Sequence, residues 1–173
     1  MNTTQQNRKN NILAWKSNLR LLICNIIYQA IFVNPKGVES VEFDLDSTYI
    51  DRLVSILYSE HEDYFEYSEN DKIITYTPEE IEKTKVQLQY FIADYQNLKS
   101  QLEPFLNSWN NTFDIIKAIL FCFILEYRQV IQDQQENTST TTALIANYIQ
   151  IAEDLTVAAN VKLVHAILAK IVN

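Results

Sequence analysis

The chain has 173 residues, 47% of them hydrophobic and 21% charged, with a formal net charge of -8 and a sequence pI of about 4.7. That is globular rather than disordered composition, and it is long enough for one domain with a real core. One glycine cannot build a phosphate-binding loop, and the acidic balance confines any nucleic-acid contact to a local basic patch.

Residues 1–11, MNTTQQNRKNN, read as a flexible tail whose only charges are Arg8 and Lys9. The remainder, 12–173, reads as one all-helical domain. Ile12–Phe32 is the first long helix, with Leu19, Leu22, Ile23, Ile26, Ile27 and Ala30 at helical spacing. Lys16 and Arg20 lie four apart and are therefore neighbours on one side of it. Asn34-Pro35-Lys36-Gly37 supplies the stop. A polar N-terminus, and an arginine inside the apolar run behind it, argue against a signal peptide, so the expected compartment is cytoplasmic.

Charge is distributed unevenly. Residues 1–30 carry Arg8, Lys9, Lys16 and Arg20 and no acid, whereas residues 39–103 carry sixteen acids against five bases. The N-terminal arm and first helix are thus the main basic surface. Val38–Phe43 is extended or a linker, and Asp46–Tyr58 reads as a second helix. His61–Thr77 is polar and tyrosine-rich; a lid, a surface loop and a helix extension all fit it, with a brief strand at Ile73–Tyr76. Thr77-Pro78-Glu79-Glu80 opens a helix with a threonine cap, proline at the first position and acids in the first turn. This helix is expected to run to about Gln101.

Pro104 ends that run. Phe105–Trp109 reads as a short helical turn, and Asn110-Asn111-Thr112 as a cap. Phe113–Ile131 follows, FDIIKAILFCFILEYRQVI, the longest dominantly apolar run. Its large residues cover almost every direction of a 3.6-residue period, which predicts a helix buried on several sides. A membrane span is the competing reading, but Asp114, Lys117, Glu126 and Arg128 interrupt the run. Asp133–Thr142 is a polar connection, Ala143–Leu155 the next helix, Thr156–Asn160 a turn and Val161–Val172 the last helix. The sum is a single-domain helical bundle of six or seven helices.

No sequence pattern points to catalysis or to a metal, and neither a catalytic residue nor a cofactor is expected. Cys24 and Cys122 match no metal spacing and read as buried free thiols. His61 and His165 are isolated, and the many carboxylate pairs read as solvated faces. A small helical enzyme would need a polar cleft that the sequence does not display. The basic cluster of Arg8, Lys9, Lys16 and Arg20 can clasp a single-stranded nucleic acid, with Trp15 or Tyr28 near enough to stack. The plainer reading is a solvated helix face whose stems cover core residues.

Three blocks of the chain resemble the bacterial transcription antitermination factor NusB family. Lys16–Gln29, KSNLRLLICNIIYQ, is similar to the family's arginine-rich opening helix, with Lys16 and Arg20 on its basic positions. Leu102–Tyr127 resembles the short helix and core helix, whose usual course is an Ala-Ile-Leu step and a Tyr-Glu-Leu end. Ala143–Lys170 resembles the two closing helices. Departures include Phe121 where the family usually has arginine, Ala146-Asn147 in place of Asn-Glu, and Ser17 and Asn18 where more arginines are usual. The resemblance implies a NusB-like all-helical fold and no catalysis. It also implies binding of boxA-like single-stranded RNA together with the ribosomal protein NusE, within an RNA polymerase antitermination complex. Arg8, Lys9, Lys16 and Arg20 would contact RNA. The partner face would draw on Tyr127, Asn147, Gln150 and Glu153. No membrane association is expected, and a homodimer is compatible. The alternative is a helical interaction module that keeps the partner contact and has lost most RNA binding.

Overall fold

The structure, a computed structural model, describes residues 19–32, 78–132 and 138–173. The expected tail, the helix at Asp46–Tyr58 and the acidic His61–Thr77 stretch lie outside these residues. Six α-helices make up the described fold. They are α1 (19–32), α2 (Pro78–Ala93), α3 (Tyr95–Leu102), α4 (Asp114–Gln132), α5 (Thr138–Leu155) and α6 (Ala158–Ile171). Among the described residues there is no strand, and the architecture is an all-helical bundle.

The apolar pattern explains the arrangement. Every residue of α4 from Ile116 to Ile124 is buried. A helix apolar in all directions has no solvent face to offer, so neighbours must surround it. It packs against α2, α3, α5 and α6, and an ion pair ties it to α1. In α1, Leu19, Leu22, Ile23, Ile26, Ile27 and Ala30 are buried as their spacing predicts. The same stripe logic holds for Leu88 and Phe91 of α2, for Leu144 and Tyr148 of α5, and for Val164, Ile167 and Leu168 of α6. All join one core. Among the described residues, no helix is long and apolar enough to cross a membrane.

Four boundaries differ from the sequence reading. The helix expected to run from Pro78 to about Gln101 breaks at Asp94, whose backbone sits at φ -114°, ψ 15°. Hydrogen bonds from Asp94 N to Tyr90 O and from Leu98 N to Asp94 O still bridge the break. The Asp94 carboxylate is held by Arg128 Nη1 at 2.6 Å and by the Asn97 amide, which gives the kink a tertiary cause. The turn expected at Phe105–Trp109 is instead a 3-10 turn at Glu103–Phe105, one step earlier, with Pro104 inside its first turn. Finally, α5 starts at Thr138, inside the stretch read as polar connection, and α6 starts at Ala158 rather than Val161. Extending a helix that already exists costs far less than nucleating one, so weak formers such as threonine are recruited upstream of a strong stripe.

Candidate functional site

Two opposite charges sit in apolar helices far apart in sequence, and the fold brings them together. Arg20 of α1 donates from Nε to Glu126 Oε2 and from Nη2 to Glu126 Oε1, both at 2.7 Å. This is the two-pronged geometry in which guanidinium and carboxylate bond most strongly. Tyr148 of α5 adds a third bond, its hydroxyl donating to Glu126 Oε2 at 2.9 Å. Its ring also lies 5.8 Å from the Arg20 guanidinium carbon, within cation–π range. One carboxylate thus joins three helices.

The cluster is largely shielded from solvent. The Arg20 and Glu126 side chains are 9% and 21% exposed, and Arg20 Nη1 is buried with no hydrogen-bond partner among the described residues. Burial alone would pull the Arg20 pKa down; the hydrogen bonds and charge of Glu126 oppose it, and the net shift is upward. The Tyr148 hydroxyl is pushed well above its ordinary value, chiefly by burial and then by the neighbouring Glu126 charge.

One turn along α1 from Arg20 lies Cys24, and one turn back along α4 from Glu126 lies Cys122, both free thiols buried in the core. Across α4 lies an aromatic cluster centred on Phe121. Its ring centroid is 5.1 Å from Phe91, 5.5 Å from Tyr95 and 5.6 Å from Trp109. Trp109 in turn receives the ammonium groups of Lys99 at 5.5 Å and Lys117 at 5.3 Å. Both lysines are also paired with acids, Lys117 with Asp114 at 2.8 Å and Lys99 with Glu103 at 3.6 Å. An open groove of about 420 Å³ runs between α2 and α4, lined by Val86, Gln87, Tyr90, Leu125 and Gln129. The Arg128–Asp94 ion pair also lines it and, through the Arg128 hydrogen bond first, holds the Asp94 carboxyl below its ordinary range.

Of the residues expected to contact RNA, Arg20 alone lies within the described residues. Arg8, Lys9 and Lys16, with Trp15, lie outside the described residues. Arg20 is inside the core, and a buried guanidinium engaged on both prongs by a carboxylate does not present to a polyanion. Tyr28 is half-buried, packed on the core, with its ring 5.9 Å from Phe32. Of the residues expected on a partner face, Tyr127 is buried, stacked on Phe123 at 5.6 Å, and offers almost no surface. Asn147 is half-buried, while Gln150 and Glu153 are exposed along α5. Gln150 donates to Asp154 Oδ1 at 3.2 Å. Glu126 and Tyr148 were not expected at any site. A partial signal was present for Glu126, since a charge set within an apolar helix needs a partner.

Among the described residues, no group of three or more His, Cys, Asp or Glu side chains is placed to hold a metal ion. No known protein family, curated protein or solved structure matches the chain.

Proposed function

We propose that the chain is an RNA-binding transcription antitermination factor of the NusB type. It binds boxA-like single-stranded RNA together with a NusE-type ribosomal protein partner, within an RNA polymerase complex. The observation that carries this reading is the Arg20–Glu126 pair. Its two members come from two of the three blocks that resemble the family, the basic opening helix and the end of the core helix, and they are bonded across 106 positions. In this reading Arg20 anchors the opening helix, and Arg8, Lys9 and Lys16 make the RNA contacts.

Fluorescence anisotropy with a labelled boxA-like RNA tests it. Binding is expected to be weak for the chain alone, tighter with the partner present, and steeply salt-dependent. Lys16→Gln is expected to weaken binding and to lower the slope of log K against log salt by about 1. Absence of RNA binding at low salt with the partner present would sink the proposal.

The inward course of Arg20 also favours a second reading, an interaction module without an RNA role. It leaves three bases on the arm of a chain whose net charge is -8. Partner capture that is unchanged by ribonuclease and by added boxA-like RNA would support that reading over the first.

A further inference from the structure

The groove between α2 and α4 has a volume of about 420 Å³, within the range of small-ligand sites, about 300–1,000 Å³. Helical spacing builds it. Val86 and Tyr90 lie four apart on α2, and Leu125 and Gln129 four apart on α4, so each helix turns one face toward the space. Val86 and Leu125 are aliphatic, and Tyr90 presents a ring that is 66% exposed. Gln87 and Gln129 add two amides. The remaining lining is the ion pair of Arg128 Nη1 with Asp94 Oδ2 at 2.6 Å, whose side chains are 29% and 39% exposed.

Charge selects the occupant. One cation and one anion cancel, so this lining as a whole does not draw a phosphate or a carboxylate. An alkyl chain would cover two amides and an ion pair without satisfying them, which costs free energy. A flat heterocycle meets both demands. Its faces cover the apolar groups and stack on an aromatic ring, and its rim carries donors and acceptors. A carboxylate has several acceptor sites and a guanidinium several N–H donors, so the bond between them leaves each able to take a second partner. On guanine the O6 acceptor adjoins the N1–H and N2–H donors. Arginine pairs well with O6 and a carboxylate with the two N–H groups, and adjoining atoms need adjoining readers. Adenine has no carbonyl for the arginine.

We propose that the α2–α4 groove is a guanine-binding site. The base stacks on Tyr90, Arg128 donates to its O6, and Asp94 accepts from its N1–H and N2–H. Gln87 and Gln129 serve the rest of the polar rim. The inference stands on the groove and is separate from the RNA-binding reading, which assigns RNA to Arg8, Lys9 and Lys16. The base can come from a free nucleoside or from a single strand.

Calorimetric titration of the full chain tests it, with guanosine, guanosine 5′-monophosphate, adenosine, cytidine and a short uridine strand carrying a single guanine. Guanosine is expected to bind with Kd on the order of 0.1 mM. The monophosphate should bind within about twofold of it, because the groove lining offers the phosphate no cation of its own. Adenosine and cytidine should bind at least about tenfold more weakly. Tyr90→Ala, at a position outside the buried core, should weaken guanosine binding about tenfold or more. Asp94→Asn should erase the preference for guanosine over adenosine, with circular dichroism separating a binding defect from a folding defect. A strand bound no better than guanosine assigns the site to the free nucleoside; a gain of about tenfold assigns it to a strand. No guanosine binding at millimolar concentration, binding of the monophosphate alone, adenosine bound equally well, or unchanged binding in Tyr90→Ala would each overturn the proposal. The RNA-binding reading is tested through Lys16→Gln and the protein partner, so either can fail without the other.

Discussion

Replacing Glu126 with glutamine keeps the shape of the side chain and removes its charge. Arg20 then keeps a buried positive charge opposite an amide that offers one acceptor oxygen to three donors: Arg20 Nε, Arg20 Nη2 and Tyr148 Oη. The glutamine Nε2 hydrogens also face the guanidinium, donor against donor. Breaking a buried pair from one side costs about 3–5 kcal/mol, because the remaining charge is uncompensated. The low exposure of both side chains places this site in that regime rather than among weak surface pairs. For a chain of this length about 2–4 °C is lost per kcal/mol, so Glu126→Gln is expected to lower Tm by about 10 °C. Arg20→Met removes the other partner and leaves the carboxylate with Tyr148 alone, with a loss of similar size. The triple variant Arg20→Met, Glu126→Leu, Tyr148→Phe removes every polar member together and is expected to recover most of the stability. Thermal unfolding followed by circular dichroism, with urea titration for the free energies, reads all three. Single-variant losses below about 1 kcal/mol would refute the claim that this pair is shielded and tightly bound, since that is the behaviour of an exposed pair.

Two further outcomes follow from the same packing. The Tyr148 hydroxyl is raised in the folded state, so the folded chain holds its proton where the unfolded chain releases it. The stability this contributes is fully present below the ordinary tyrosine value of about 10 and is lost as pH rises from there toward the raised folded value. Tyr148→Phe is expected to flatten the alkaline limb of a plot of Tm against pH while lowering neutral-pH stability by about 1–2 kcal/mol for the lost bond to a charged acceptor. Phe121→Ala is expected to cost about 3–5 kcal/mol in urea titration. It empties a fully buried position that three aromatic rings share, and those rings sit on α2, on α3 and in the turn before α4 and cannot all close the gap.

The central helix was legible from sequence because one rule dominates it. Apolar residues in every direction of the helical period require burial on every side, and Phe113–Ile131 was displaced by only one residue from the observed Asp114–Gln132. Stripes on α1, α2, α5 and α6 were legible for the related reason that one apolar face requires one covering partner. The kink at Asp94 was not, because its cause is Arg128, thirty-four residues away on another helix. The early starts at Thr138 and Ala158 were missed because propensity counts residues one at a time, whereas an established helix extends cooperatively. The Arg20–Glu126–Tyr148 cluster was half legible. Periodicity located each residue on its helix, but only the tertiary fold could say which charge met which. Reading Arg20 with Lys16 as one basic patch followed the i, i+4 rule, which gives proximity along a helix and says nothing about which way that side points.

The direction of Arg20 alters what a nucleic-acid surface in this chain requires. In a buried cluster the guanidinium's strengths, a planar fork and a charge that does not titrate, are used to bind one carboxylate. The same two prongs cannot also grip a phosphate. Phe121 carries the argument further along α4. The resembling family usually has arginine there, whereas this chain has a ring locked among Phe91, Tyr95 and Trp109, and Lys117 beside it is already engaged by Asp114. The described core therefore has its cations committed inward or to acids at two places where a basic surface would be sought. An RNA contact, as proposed, falls to Arg8, Lys9 and Lys16, with α1 serving as their mount. The stability of that mount depends on the pair at Glu126. A mutation there would then weaken RNA binding without touching RNA, by loosening the helix that carries the arm.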